Sequence, residues 1–268
     1  MDIDLFCGPC DDIEQSQPQV HRVGQPFTVQ SVKALHRQDA KGTHTSQMIE
    51  CLLTKKPAGT PLQILCLGAH SDDLEIGCGG TLLTLAAGDT PLNVTWVVFS
   101  ANDSREKEAH TSANAFLAGV AEKRVLVETF RDGFFPYIGG EIKEYFERLK
   151  HQVTPDVIFT HYRHDLHQDH RVISDLTWNT FRNHFILEYE IPKYDGDIGA
   201  PNAFVRLDEC VCRLKVKNIL DHFASQEHKQ WFTEDIFRAL LRLRGMECGS
   251  PSGYAEAFYV RKVVIGRP

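Results

Sequence analysis

The chemistry legible in this sequence sits in two short stretches. The first, Leu62 to Gly80, reads LQILCLGAHSDDLEIGCGG and places His70, Asp72, Asp73 and Glu75 directly after an apolar run. The second, His161 to His170, reads HYRHDLHQDH and follows the apolar segment Asp156 to Thr160, DVIFT. Imidazole and carboxylate donors in three positions, with a fourth left to water, are the set a catalytic zinc uses. His70 and Asp73, three apart on a turn leaving a strand, and His170 from the second stretch supply such a set. Either stretch alone is weak. His-x-x-Asp arises by chance and reads equally well as a surface turn in which Asp72 or Asp73 caps a helix, and the second stretch alone reads as a solvated helix start. Both at the ends of predicted parallel strands favour a metal site.

Asp72 neighbours Asp73 but points elsewhere, so it can lie beside a metal-activated water and act as general base. His167, close before His170, approaches the same centre from the other side. Protonated through pairing with Asp169 or Asp165, it would stabilise an oxyanion. The chemistry expected is metal-assisted hydrolysis. Zinc is the expected cofactor, and Fe²⁺ or another divalent ion suits His and Asp donors as well.

These stretches need elements to hold them. From Leu62 onward, strands and helices alternate: strands over 62–67, 92–99, 124–127 and 156–160, with helices over 76–87, 104–117, 138–151 and 171–182. Further strands are predicted over 186–190, 203–207 and 254–264, and further helices over 211–223 and 232–243. Such alternation predicts an α/β, Rossmann-like fold, a mostly parallel sheet with helices on both faces, whose sites gather at the carboxyl ends of strands. Residues 1–60 read as an N-terminal extension and 61–268 as the α/β domain. In the extension, Cys7-Gly8-Pro9-Cys10 lacks the strand-helix unit or second pair that redox or zinc use would need, and His36 and His44 sit in polar surroundings.

A net charge of -7, from 36 acidic and 29 basic residues without a basic run, argues against nucleic acid as a partner. No window approaches the roughly 20 apolar residues a membrane span requires, so a soluble, cytoplasmic protein is expected; homo-oligomerisation is left open. The eight cysteines show no repeated spacing and read as reduced. Trp96, Trp178 and Trp231 sit in apolar contexts and read as core, whereas Phe134, Phe135 and Tyr137, after Asp132-Gly133, are placed to line a substrate pocket.

GAHSDDLEIGCGGTL and DLHQDH resemble the two signature motifs of the PIG-L/LmbE-like zinc deacetylases. The resemblance spans residues 62–264 and takes in Arg105 to Ala109, His222 to Gln226 and Tyr254 to Phe258. It implies removal of an acetyl or other acyl group from an N-acylated amino sugar, glycoside or sugar nucleotide. By that likeness His70, Asp73 and His170 are zinc ligands and Asp72 the general base. His167 is the oxyanion-stabilising acid, tuned by Asp169, and Arg105 reaches substrate hydroxyls. Ser71 stands where relatives usually have proline, which alters turn rigidity but removes no ligand. An alternative is a non-hydrolytic nucleotide-binding Rossmann-like module, but Gly77, Gly79 and Gly80 lack the Gly-x-Gly-x-x-Gly spacing. A metal-binding but inactive interaction protein is disfavoured by the intact Asp72 and His167.

Overall fold

The computed structural model describes residues 50, 51, 53, 57 and 59–265. Cys7, Cys10, His36 and His44 lie outside the described residues. The chain alternates as predicted: β1 (Leu62–His70), α1 (Asp73–Ala87), β2 (Leu92–Ser100), α2 (Asp103–Phe116), β3 (Glu122–Val127), α3 (Gly139–Leu149), β4 (Val157–His161) and α4 (Gln168–Thr180). It continues with β5 (Phe185–Tyr189), β6 (Ala203–Leu207), α5 (Glu209–His222), α6 (Glu234–Glu247) and β7 (Tyr254–Val260). One sheet runs in the order β3-β2-β1-β4-β5-β7-β6. The first five of these strands are parallel, while β7 is antiparallel to both β5 and β6.

Alternation along β1 explains why the sheet is covered twice. Leu62, Ile64 and Cys66 face one core, shared with α1, α2, α5 and α6 through residues such as Leu74, Ala109, Val211 and Phe237. Leu65, Leu67 and Ala69 face the other, shared with α3 and α4 through Ile142, Phe146 and Ile173. A strand buried on both faces needs a nearly continuous apolar run, which β1 has. Strand order reverses between β1 and β4, and the crevice at such a switch point is where an open α/β sheet places its ligand.

Two element starts differ from expectation in ways that matter for the site. Helix α1 begins at Asp73 rather than Ile76, leaving only Ser71 and Asp72 between strand and helix. Helix α4 begins at Gln168 rather than Arg171, with His167 as its N-cap, so Asp169 and His170 occupy its first turn. A carboxylate there complements the positive end of the helix, a preference invisible to an apolar period that starts only at Val172. At the far end of the chain, the Thr233 hydroxyl accepts from the Ile236 N–H and sets the start of α6, and β7 stops at Val260 rather than Val264.

The glycines of α1 serve packing. A Cβ at Gly77 would sit 2.2 Å from the Tyr189 ring, and one at Gly80 would sit 2.6 Å from Leu207. The Gly80 N–H donates to Glu256 (2.7 Å), while the Ile76 carbonyl accepts from Lys215 (2.6 Å). In a regular helix those two groups would bond to each other. Lys215 and Glu256 themselves pair at 2.6 Å, so a buried ion pair bonds to the backbone of α1.

Candidate metal centre

His70 is the last residue of β1, and its N–H donates to Asp73 Oδ2 at 2.6 Å, folding the carboxylate back over the strand end. His70 Nδ1 lies 3.2 Å from His170 Nε2 and 3.4 Å from Asp73 Oδ2; His170 Nε2 lies 3.5 Å from Asp73 Oδ1. Each separation is of the size expected between two donors about 2.0–2.2 Å from one zinc, with Asp73 facing the two histidines through different oxygens. All three predicted ligands are thus brought together, and all are buried.

The outer nitrogens decide which lone pairs are free. His170 Nδ1 meets Asp165 Oδ2 at 2.9 Å, so the proton sits on Nδ1 and Nε2 faces the cluster bare. His70 Nε2 lies 3.1 Å from Asp132 Oδ1 and 3.3 Å from Asp169 Oδ2, which leaves its Nδ1 bare. Each histidine is therefore backed by carboxylate, the arrangement that orients metal-ligating imidazoles. In their neutral forms, with the proton on the outer nitrogen, the two imidazoles and the Asp73 carboxylate would offer three donors to a divalent cation.

His161, the last residue of β4, joins the cluster although the motifs give it no role. Its ring stacks on His170 with centroids 3.9 Å apart, its Nε2 accepts from the Ala69 N–H at 2.9 Å, and that atom lies 3.2 Å from Asp73 Oδ2. Among the described residues, the sets with donor atoms close enough to share an ion are Asp73–His161–His170, His70–His167–His170 and His70–Asp132–Asp169. All of them overlap the predicted triad.

Charge in the cluster is mutually compensating. Burial works against a charged His70, but Asp73 and the hydrogen bonds of Asp132 and Asp169 prevail and hold its pKa well above the ordinary value. His170 is likewise raised, Asp73 and Asp165 outweighing burial. Asp73 is held well below the usual carboxylate range, burial being overcome by His170, His161 and His70. The hydrogen bond to His70 brings Asp132 down to about 2. Burial, then the neighbouring His170, pushes His161 down to about 4, so it is neutral.

Asp72 Oδ1 accepts from Arg105 Nη2 at 2.8 Å. Arg105 was expected to reach substrate; it reaches Asp72, and its buried Nε has no hydrogen-bond partner. The ring of His167 lies 4.9 Å from that of His70 and 4.5 Å from that of His170. Its expected pairing with Asp169 or Asp165 is not what the structure shows. Its Nδ1 instead accepts from the Asp169 backbone N–H at 3.3 Å. Burial, with the charges of His170 and His70, lowers its pKa. The imidazole is therefore neutral, with its proton on Nε2.

The Asp169 carboxylate is engaged elsewhere: it accepts from the N–H groups of Gly133 (2.7 Å) and Phe135 (3.1 Å) and approaches His70. It pins the loop after β3 and backs His70, and its charge also acts on His167, favouring the protonated form against the larger effect of burial. The same loop corrects the expectation for Phe135, which is fully buried beside Phe146 and Ile142 in the second core and cannot line a pocket. Phe134 is 37% exposed beneath the Arg131 guanidinium, and Tyr137 is 78% exposed. Trp96 is core, whereas Trp178, partly buried, donates from its indole to Glu188. Asp132, His161 and Lys193, which approaches Asp165 at 3.0 Å, are site residues that the sequence reading missed. Asp132 had a signal: an acidic residue in the loop leaving a parallel strand two places from β1.

The family described as PIG-L: GlcNAc-PI de-N-acetylase matches residues 65–181, a span holding every predicted metal ligand. None of the curated proteins matches the chain. Among solved structures, N,N'-diacetylchitobiose deacetylase from Pyrococcus horikoshii is 21% identical, with a TM-score of 0.55, and the match covers 78% of this chain and 86% of that one. The zinc-inhibited form of teicoplanin deacetylase Orf2 is 15% identical, with a TM-score of 0.58 and coverage of 74% and 97%. GalB, a 4-carboxy-2-hydroxymuconate hydratase from Pseudomonas putida KT2440, is 17% identical, with a TM-score of 0.56 and coverage of 77% and 99%. At these identities the likeness is one of fold, and a hydratase shares it with deacetylases. The family match and both motifs fall on the same stretch, residues 65–181.

Proposed function

We propose that this protein is a divalent-metal-dependent N-deacetylase that removes an acetyl or other acyl group from an N-acylated amino sugar, glycoside or sugar nucleotide. The observation that carries the reading is the convergence of His70, Asp73 and His170 at 3.2–3.5 Å, with a second carboxylate, Asp72, next to Asp73 in the chain and outside that set. His70, Asp73 and His170 would hold a zinc, iron(II) or similar ion, which would supply Lewis acidity and lower the pKa of water toward neutrality. Asp72 takes the proton of the attacking water and returns it to the departing amine. Arg105 fixes the orientation of that carboxylate through its 2.8 Å hydrogen bond. His167, neutral and protonated on Nε2, donates to the carbonyl oxygen as negative charge develops on it. Asp169 and Asp132 hold His70, and Asp165 holds His170.

The packing of Gly77 and Gly80 against side chains, with no phosphate-sized loop between β1 and α1, speaks against the nucleotide-binding alternative. Metal analysis of the purified protein, joined to an assay for free-amine release over N-acetylated sugars, glycosides and sugar nucleotides, tests the proposal. About one metal per chain and chelator-sensitive amine release on at least one class is the expected result. A metal-loaded chain that releases no amine across the panel would count against it.

A further inference from the structure

We propose that Lys193 is a positioning residue of the metal centre, which acts through Asp165 to hold His170 in its ligating orientation. The inference rests on the metal-dependent reading above. Lys193 lies in the segment that joins β5 to β6, remote in sequence from both motifs. Its Nζ is 3.0 Å from Asp165 Oδ2, the same oxygen that meets His170 Nδ1 at 2.9 Å. The ammonium also lies 2.5 Å from Asp197 Oδ2, and that oxygen accepts from the Leu166 N–H at 2.7 Å. The three side chains are 9%, 3% and 6% exposed, so water does not stand in for any of these contacts.

The segment is anchored at its base as well. Arg244 of α6 grips Glu190 with two hydrogen bonds, at 2.9 and 2.7 Å, and donates to the Gly199 carbonyl at 2.9 Å. Residues 190–199 thus form a strap fastened to α6 at both ends, and its Lys193–Asp197 pair clasps the loop that carries Asp165, Leu166 and His167. That pair brings one positive and one negative charge, so its presence adds little net repulsion toward a cation. What it adds is fixation. Without the ammonium, the Asp165 and Asp197 carboxylates face each other in a dry site, and like charges there repel strongly. Asp165 then turns from His170 Nδ1, and the imidazole loses the partner that sets its tautomer and its aim.

The test is a titration of metal-free protein with Zn²⁺ in competition with a chromogenic chelator, repeated with Co²⁺ to read the ligand field from visible absorption. Wild type, Lys193→Met, Asp165→Asn and the double variant are compared. Lys193→Met is expected to weaken metal binding about 10-fold or more, the usual size of an outer-partner effect. It should add little further in the Asp165→Asn background, because residues that act as one unit are not additive. Unchanged affinity in Lys193→Met, or losses that add fully in the double variant, would overturn the proposal. Should Lys193→Met fail to fold, Lys193→Gln, which keeps donors without charge, takes its place: weaker binding supports the proposal and wild-type affinity overturns it. A wild-type chain that takes up neither metal overturns this inference and the metal-dependent reading together, whereas normal wild-type uptake with an indifferent Lys193 removes this inference alone.

Discussion

Arg105 Nη2 donates to Asp72 Oδ1 at 2.8 Å, so the acid assigned to proton transfer is oriented from a different helix than the ligand beside it. Separating the two functions is therefore feasible by mutation. Asp72→Asn should keep its metal and lose about 10²–10⁴-fold in kcat, the range general acid–base groups contribute. Arg105→Ala should lower kcat while leaving metal content intact. Metal analysis and steady-state kinetics on the same preparations check both, and full turnover in metal-loaded Asp72→Asn would exclude its role.

Ligand loss should read differently. Asp73→Ala and His170→Ala each remove one of the three converging donors. Both are expected to purify with little or no metal and to remain inactive at metal concentrations that saturate wild type. Inductively coupled plasma analysis after desalting provides the measurement; stoichiometric metal in either variant would place the ion elsewhere.

Acidity and metal compete for the same lone pairs. In the metal-free chain His70 and His170 have raised pKa values, so their protonated forms stabilise the fold. That contribution is fully present below the unfolded value of about 6.5 and is lost as pH rises through the higher folded values. The Tm of chelator-treated protein should therefore fall as pH is raised from about 6 to 9, and the metal-loaded protein should resist that fall. Apparent metal affinity should run the opposite way, weakening as pH drops into the range where the histidines protonate. A metal-free Tm that climbs with pH over this interval would contradict the assignment of these charges.

The neighbouring phenylalanines of the β3–α3 loop should separate cleanly. Phe135 is fully buried, so Phe135→Ala should cost roughly 3–5 kcal/mol of stability. Its loss also removes packing from a loop whose N–H groups hold Asp169. Phe134 is partly exposed, and Phe134→Ala should leave stability within about 0.5 kcal/mol. If Phe134 meets substrate, its replacement raises KM with little change in kcat. Denaturant unfolding and kinetics of the two variants decide between packing and contact.

Much of this was legible in the sequence because it rests on periodicity and on ligands near one another in the chain. Every described strand fell where apolar runs placed it, and the His70–Asp73 and His167–His170 stretches met at adjacent strand ends as the parallel order requires. The partners of those residues were harder to see. Lys193 comes from a loop with no pattern of its own, Asp132 has only its place after a parallel strand to mark it, and His161 reads as one more polar residue at a strand end. The Asp169 carboxylate misled for a related reason. Beside His167 in sequence, it is turned away by the first turn of α4, and backbone N–H groups on a distant loop capture it. Which of two adjacent side chains faces a site depends on where a helix begins, and that start was misplaced by three residues, Gln168 against Arg171.

Tyr189 rests its ring on Gly77 and donates its hydroxyl to the Leu67 carbonyl at 2.8 Å, filling the wedge between α1 and the sheet. The wedge leaves no slack in the two-residue link from β1 to α1. A single methyl group at position 77 has nowhere to go but against that ring, and the helix would have to lever outward, taking Asp73 with it and tilting Asp72. The centre can thus be dismantled from behind, by a change that touches none of its chemistry. Inactive variants of this protein are to be looked for on the hidden side of α1 as well as among its ligands.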